Sequence, residues 1–207
     1  MTTILYSYWR SSCSWRVRIA LALKNIPYEY KAVHLVKDGG QQHSDEFKKM
    51  NPMEQVPALV IDGITLTQSM AIMEYLNDTR PEPALLPKCP AKKAVVREIC
   101  ECIVSGIQPL QNVGVLQKLG DKKMEWSLYW IEKGFHALEN LLKQSAGKYC
   151  VGDEITMADL CLVPQVYNAE RYNVNMESFP MISRINKDLL PLEAFKISHP
   201  SNQIDKE

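Results

Sequence analysis

An α/β domain followed by an all-helical one is the architecture this 207-residue chain predicts. Three observations carry the prediction. The first eighty residues alternate short β-rich runs with helix-like runs. "RPEPALLPKCP" then sets four prolines in eleven residues, which a helix cannot cross. Every periodic segment beyond it reads as helix. The expected partition is 1–80 for the α/β domain, 81–90 for a proline-rich linker and 91–207 for the helical domain.

In the first part, "TILYSY" is short and rich in β formers. "SSCSWRVRIALALKN" has a helix start signal, since Ser11 or Ser12 can accept backbone N–H bonds. "YEYKAVHL" alternates at period two, as a strand does, and "GGQQHSDEFKKMNP" is a polar loop with a short helix from about Ser44. "VPALVID" and "ITLTQ" are two strands joined by Asp62-Gly63, a tight-turn signal. "SMAIMEYLNDT" follows as a helix. The order β-α-β-α-β-β-α gives a mixed sheet with helices packed on it. Helices in the second part are expected over 91–119, interrupted by Pro109, and over 124–144. A third starts after "VGDEIT", a fourth spans about 181–189, and "SHPSNQIDKE" is expected to fray.

Composition excludes several function classes. Twenty-four basic and 24 acidic residues leave a formal net charge of zero, with no basic tail or block, so no nucleic-acid partner is expected. Six cysteines, at 13, 89, 100, 102, 150 and 161, form no CxxC pair, and the histidines at 34, 43, 136 and 199 lack ligand spacing. His34 and His136 read as ordinary strand and helix residues. No metal site is expected, and HExxH, Walker and GxGxxG motifs are absent. No signal peptide or membrane-spanning run is evident, so the expected place is the cytoplasm, with reduced thiols.

Two helix starts deserve weight. Gln68 and Ser69 stand where a strand meets a helix N-terminus, where free N–H groups favour an anion. Ser69 alone reads first as a plain cap, and so do Ser11 and Ser12. Two such starts in one small domain favour a joint anion site. Cys13 lies in the first turn of its helix, either as a reactive thiol or as a small packed side chain. Arg16 and Arg18 are expected on polar surface or paired with carboxylates. Pro57 suits the first residue of a strand, and a cis bond after Val56 would turn the backbone N–H and C=O of Val56 toward a ligand. Thr156 and Asp159 have capping-box spacing, which assigns Asp159 to folding rather than catalysis. Arg171, at a helix end, reads by itself as solvent-facing.

Together, "SSCSWRVRIALALK", "NPMEQVPAL", "DGITLTQSMAIMEYL", "GIQPLQNVGVL" and "YCVGDEITMADLCLVPQVYNAER" resemble the zeta class of glutathione transferases, the maleylacetoacetate isomerase group. The likeness covers essentially the whole chain. It implies a thioredoxin-like N-terminal domain, an all-helical C-terminal domain, a homodimer and a site in the cleft between domains. It implies glutathione as cofactor and small acidic substrates, with cis-trans isomerisation of maleylacetoacetate in tyrosine and phenylalanine breakdown. Transfer of glutathione to α-halo acids is a second implied activity. Ser11, Ser12 and Cys13 match the catalytic triplet near the sulfur. Gln42, Val56, Gln68, Ser69, Gln108 and Asn112 match glutathione contacts, and Pro57 the cis-proline. Arg171 matches a substrate-carboxylate contact, with Arg10 a weaker candidate for that task. Gly114 departs from the pattern, because the class often carries serine there. The family also includes binding modules, but the intact Ser11-Ser12-Cys13 and Gln68-Ser69 sets argue for an enzyme.

Overall fold

The computed structural model describes residues 2–207, apart from the side chain of residue 38. The chain forms two compact units, one of Met1–Pro83 together with Glu193–Glu207 and the other of Ala84–Leu192.

The first unit is built on a four-stranded sheet. Strands β1 (Ile4–Ser7), β2 (Glu29–Ala32), β3 (Ala58–Ile61) and β4 (Ile64–Thr67) lie in the order β2-β1-β3-β4. β1 pairs parallel with β2, Ile4 facing Glu29, and antiparallel with β3, Leu5 facing Leu59. The β3–β4 hairpin turns through Asp62 and Gly63, at φ 53° and 81°. Positive φ at both centres is what a two-residue hairpin needs, and Asp-Gly meets it with little strain. Helix α1 (Ser12–Leu23) connects β1 to β2, α2 (Asp45–Met50) precedes β3, and α3 (Ser69–Thr79) follows β4. Leu5, Leu59, Ile61, Ile72, Met73 and Leu76 are buried in this unit's core. Ser44 caps α2 by accepting the Phe47 N–H at 3.3 Å, and Asp45 and Glu46 complement its N-terminal dipole end.

α1 is buried on all sides rather than along one stripe, and this overturns the expectation for its arginines. Arg16 and Arg18 are 1% and 0% exposed, and among the described residues neither has a carboxylate as a hydrogen-bond partner. Arg18 instead donates to the carbonyls of Tyr8, Trp9 and Ser198 and to Ser7 Oγ. Burial lowers its pKa to about 10, which still leaves it charged at neutral pH.

The C-terminal residues are also not a frayed tail. Helix α9 (Glu193–Ser198) packs on α1, and Trp15 Nε1 donates to Ser198 Oγ at 3.0 Å. The grouping of Glu193–Glu207 with the sheet therefore differs from the expected partition at 91–207. The physical reason is burial of apolar surface, since Phe195 of α9 is fully buried and α9 packs on α1.

The second unit holds α4 (Pro90–Val104), α5 (Val113–Leu119), α6 (Lys123–Ser145), α7 (Met157–Arg171) and α8 (Pro180–Leu189). Pro109 lies in a short 3-10 turn, Gln108–Gln111, that separates α4 from α5. α7 is the central helix, packing on α4 and α8 and buried over nearly its whole length. Its start is fixed by Asp159, which is fully buried and accepts the Thr156 N–H at 2.8 Å and the Cys150 N–H at 2.9 Å. Burial pushes the Asp159 carboxyl up, and those backbone bonds pull it back. From α6, Glu139 accepts the Met181 and Ile182 N–H groups and so caps α8. Gly134 sits where α6 meets the chain at Ile107, and a Cβ there would lie 2.3 Å from the Ile107 side chain.

Candidate active site

Ser11 is the N-cap of α1. Its extended backbone, φ −70° and ψ 117°, turns the side chain onto the helix end, and its oxygen accepts the Ser14 N–H at 3.2 Å. A hydroxyl that accepts still has its own proton to donate. Ser12 is buried and Cys13 half-buried in the first turn. The Ser11 N–H is itself held by the Tyr8 carbonyl at 3.0 Å.

The N-terminus of α3 joins this one through Arg16. The Arg16 guanidinium donates to Ser69 Oγ at 3.1 Å and lies 3.7 Å from Cys13 Sγ. Ser69 is the first residue of α3, and Gln68 is its N-cap at φ 67° and ψ 116°. A glutamine at positive φ is strained, and such strain concentrates at ligand sites. It aims the start of α3 while leaving the Gln68 side chain out of the capping role. Buried charge is costly without partners, yet Nε and Nη2 of Arg16 are buried with none. A bound anion beside the two helix ends fits that cation.

Val56 packs beside Tyr8, Val33, Phe47 and Ala58, with Trp9 against the same cluster. The Val56-Pro57 bond is cis, and Pro57 immediately precedes β3. The approach to it is shaped by buried Asn51, whose Nδ2 donates to the Gln55 carbonyl at 2.6 Å and whose Oδ1 accepts the Met53 N–H at 3.0 Å. Gln42 is buried in a 3-10 turn, its Nε2 donating to the Leu35 carbonyl at 3.3 Å and its Oε1 buried without a partner. That unpartnered acceptor is a second buried polar group a polar ligand could satisfy. Arg10 lies over the Trp9 ring, 5.3 Å from its centroid.

Gln108, Asn112 and Arg171 belong to the second unit. Gln108 opens the 3-10 turn after α4, and Asn112 is the N-cap of α5 with no side-chain capping bond. Arg171 ends α7, where Nη1 donates to Asn168 Oδ1 at 3.2 Å and the guanidinium lies over Tyr172. A Cβ at Gly114 would meet nothing within 4 Å, so the space a serine would take is open. No group of three or more His, Cys, Asp or Glu side chains that could hold a metal occurs among the described residues, and none of their helices is long and apolar enough to cross a membrane.

Sequence reasoning missed Arg16 and Asn51 as shapers of the site. Arg16 had a signal: two arginines in a run apolar on every side cannot both reach water from a buried helix. Asn51 also had one, since Asn-Pro favours turn initiation.

Two family models match the chain: the glutathione S-transferase N-terminal domain over residues 1–78 and the C-terminal domain over 117–188. A maleylacetoacetate isomerase of Mus musculus is 62% identical, the match covering 98% of this chain and 94% of the relative. A crystal structure of maleylacetoacetate isomerase from Anaeromyxobacter dehalogenans, with glutathione bound in its active site, is 43% identical with a TM-score of 0.90. That match covers 100% of this chain and 98% of the other. A bacterial maleylpyruvate isomerase, described as a zeta-class glutathione S-transferase, is 39% identical with a TM-score of 0.95, over 99% of this chain and 100% of the other. With its thioredoxin-like sheet, its helical second unit and these relatives, the chain belongs to the glutathione S-transferase family, in its zeta class.

Proposed function

We propose that this protein is a glutathione-dependent isomerase that converts maleylacetoacetate to fumarylacetoacetate, in the breakdown of tyrosine and phenylalanine. The observation that carries the reading is Ser11, a hydroxyl already engaged as acceptor at a helix N-terminus and left with a proton to donate. Similarity to a glutathione-bound isomerase supports the cofactor. Bound glutathione supplies the sulfur nucleophile that adds to the conjugated double bond, allows rotation about it and departs again, so that none is consumed.

The protein's own part is to hold charge in place. Ser11 donates to the sulfur anion, and the N-terminal end of α1 adds positive potential, both favouring thiolate without a general-base histidine. Ser12 and Cys13 complete the first turn at the sulfur. Gln68 and Ser69 hold the γ-glutamyl end over the Arg16 charge. Val56 pairs through its backbone with the cysteinyl part, and Gln42, Gln108 and Asn112 add further contacts. Arg171, with Arg10 as the second candidate, binds substrate carboxylate, because a guanidinium stays charged and its planar fork matches a carboxylate. In this reading the N-terminal domain, 1–80, carries most of the glutathione contacts, and the helical domain, beyond the 81–90 linker, adds Gln108 and Asn112 and the acidic-substrate contact at Arg171. The same acid-binding chemistry accommodates small α-halo acids as transferase substrates. We place the protein in the cytoplasm as a homodimer.

The test is the loss of maleylacetoacetate absorbance with and without glutathione, for wild type and Arg171→Ala. The expected result is a strictly glutathione-dependent cis-to-trans conversion, with a raised KM in the variant and kcat little changed. Glutathione binding without isomerisation in wild type would sink the isomerase reading. Light scattering tests the dimer, and a mass of one 23.6 kDa chain would exclude it.

A further inference from the structure

The connection Tyr8–Ser11, which delivers Ser11 to the start of α1, is held by the far end of the chain. Asp205 Oδ2 accepts the Trp9 N–H at 3.0 Å, across 196 residues of sequence, and Oδ1 accepts the Tyr30 hydroxyl at 2.7 Å. Both carboxylate oxygens are thus engaged. On the other side of the same residue, the Trp9 carbonyl accepts from Arg18 Nη2 at 3.0 Å. Arg18 Nη1 reaches the Tyr8 carbonyl at 3.3 Å, the acceptor that also takes the Ser11 N–H at 3.0 Å. Arg18 Nε donates to the Ser198 carbonyl at 3.0 Å, so the guanidinium is itself seated on the C-terminal segment.

We propose that Asp205, with the C-terminal segment that carries it, is a positioning residue for Ser11. The carboxylate fixes the Trp9 N–H, the guanidinium fixes the Tyr8 and Trp9 carbonyls, and the Ser11 N–H is anchored on one of those carbonyls. Release of the Trp9 N–H lets the connection move and carries the Ser11 hydroxyl off its line to the sulfur. The proposal rests on the reading of Ser11 as the donor to glutathione sulfur. Removal of Asp205 acts twice, because it also leaves the Tyr30 hydroxyl without its acceptor.

The experiment compares full-length wild type, Asp205→Ala, Asp205→Asn and Tyr30→Phe. Hydrogen exchange of the ligand-free protein is followed at residues 8–11, together with thermal melting and the pH dependence of kcat/KM. Asp205→Ala is expected to speed exchange at 8–11 about tenfold while exchange in the helices of the second unit is unchanged. It should also move the acid limb of the pH profile up by about half a unit, as stabilisation of the thiolate is lost. Asp205→Asn keeps one acceptor and should recover much of both effects, and Tyr30→Phe should fall between it and wild type. If Asp205→Ala does not fold, Asp205→Asn and Tyr30→Phe carry the same comparison. A lower melting temperature with wild-type exchange at 8–11 and a wild-type acid limb overturns the proposal, since a merely structural contact would give that result. If wild type shows no glutathione-dependent turnover, the isomerase reading fails first, and the exchange data still decide whether Asp205 holds the connection.

Discussion

Ser11 caps α1, and the catalytic job proposed for the same hydroxyl can be separated from the cap by measurement. As a cap its oxygen satisfies the Ser14 N–H. As the proposed donor its proton meets the sulfur anion. Ser11→Ala should lose about 1 kcal/mol of stability from the cap and about a hundredfold in kcat/KM from the lost donor. Ser11→Thr keeps both functions and should recover most of the rate. Cys13→Ala should stay close to wild type in isomerisation, because the sulfur that reacts belongs to the cofactor. Steady-state kinetics beside thermal melts decides between these assignments, and a Cys13→Ala loss as large as that of Ser11→Ala would move the chemistry to the thiol. Arg16 shows how far a residue can depart from its ordinary environment. A guanidinium 1% exposed, with only part of its donor set used, makes sense beside a ligand that supplies negative charge.

At the scale of elements, two carboxylates fix neighbouring segments by different means. Asp159 gathers the Cys150 and Thr156 N–H groups and the Thr156 hydroxyl, all of them buried. Asp159→Ala leaves these donors unsatisfied and should cost about 3 kcal/mol in a denaturant titration, and Asp159→Asn less. Asp62, by contrast, is exposed and ties the β3–β4 turn to the end of α3. It accepts from Arg80 Nη1 and Nη2 at 2.6 and 2.7 Å and from the Tyr75 hydroxyl at 2.7 Å. The Arg80 bonds first, and the Tyr75 bond second, hold its carboxyl at about 2, below the usual 3.8. A carboxyl depressed by folding stabilises the protein above its ordinary pKa and loses that contribution as pH falls through the depressed one. The melting temperature of Asp62→Asn should therefore lie below that of wild type at neutral pH, with the gap closing as pH falls from about 4 to about 2. A gap that stays constant over that window would show that the charge on Asp62 is not what joins the turn to the helix.

Across the whole molecule, the chain enters the sheet-bearing unit at its start and returns to it at its end. The return segment packs α9, with its fully buried Phe195, on α1, where Trp15 and Ile19 are also buried. Phe195→Ala in the full chain should cost about 3–5 kcal/mol. The loss should appear in hydrogen exchange as faster opening of α1 and the β-sheet, with α4, α7 and α8 unaltered. Equal opening of both sets of elements would mean that the two units do not unfold separately.

Much of this was legible in the sequence because it depends on neighbours along the chain. Ser44 before an acidic first turn, Asp62-Gly63 between β runs, Pro109 within a helical pattern and Thr156 three residues before Asp159 each act over a few residues. Local sterics and hydrogen bonding decide them, and the structure places α2, the hairpin, the α4–α5 break and the start of α7 there. The sequence also shows the serines and glutamine at two helix starts, since helix ends expose N–H groups wherever they occur. What it could not show was which distant groups meet. Arg16 reaching Ser69, Arg18 seated on Ser198 and Asp205 on Trp9 join residues 53, 180 and 196 apart. No periodicity encodes such pairs. They follow from burying α1 on every side, which forces its polar groups to find partners wherever the fold brings a carbonyl, a hydroxyl or a carboxylate. The polar end of the chain reads as a solvated tail for the same reason, because its partners appear only once the sheet and α1 are in place.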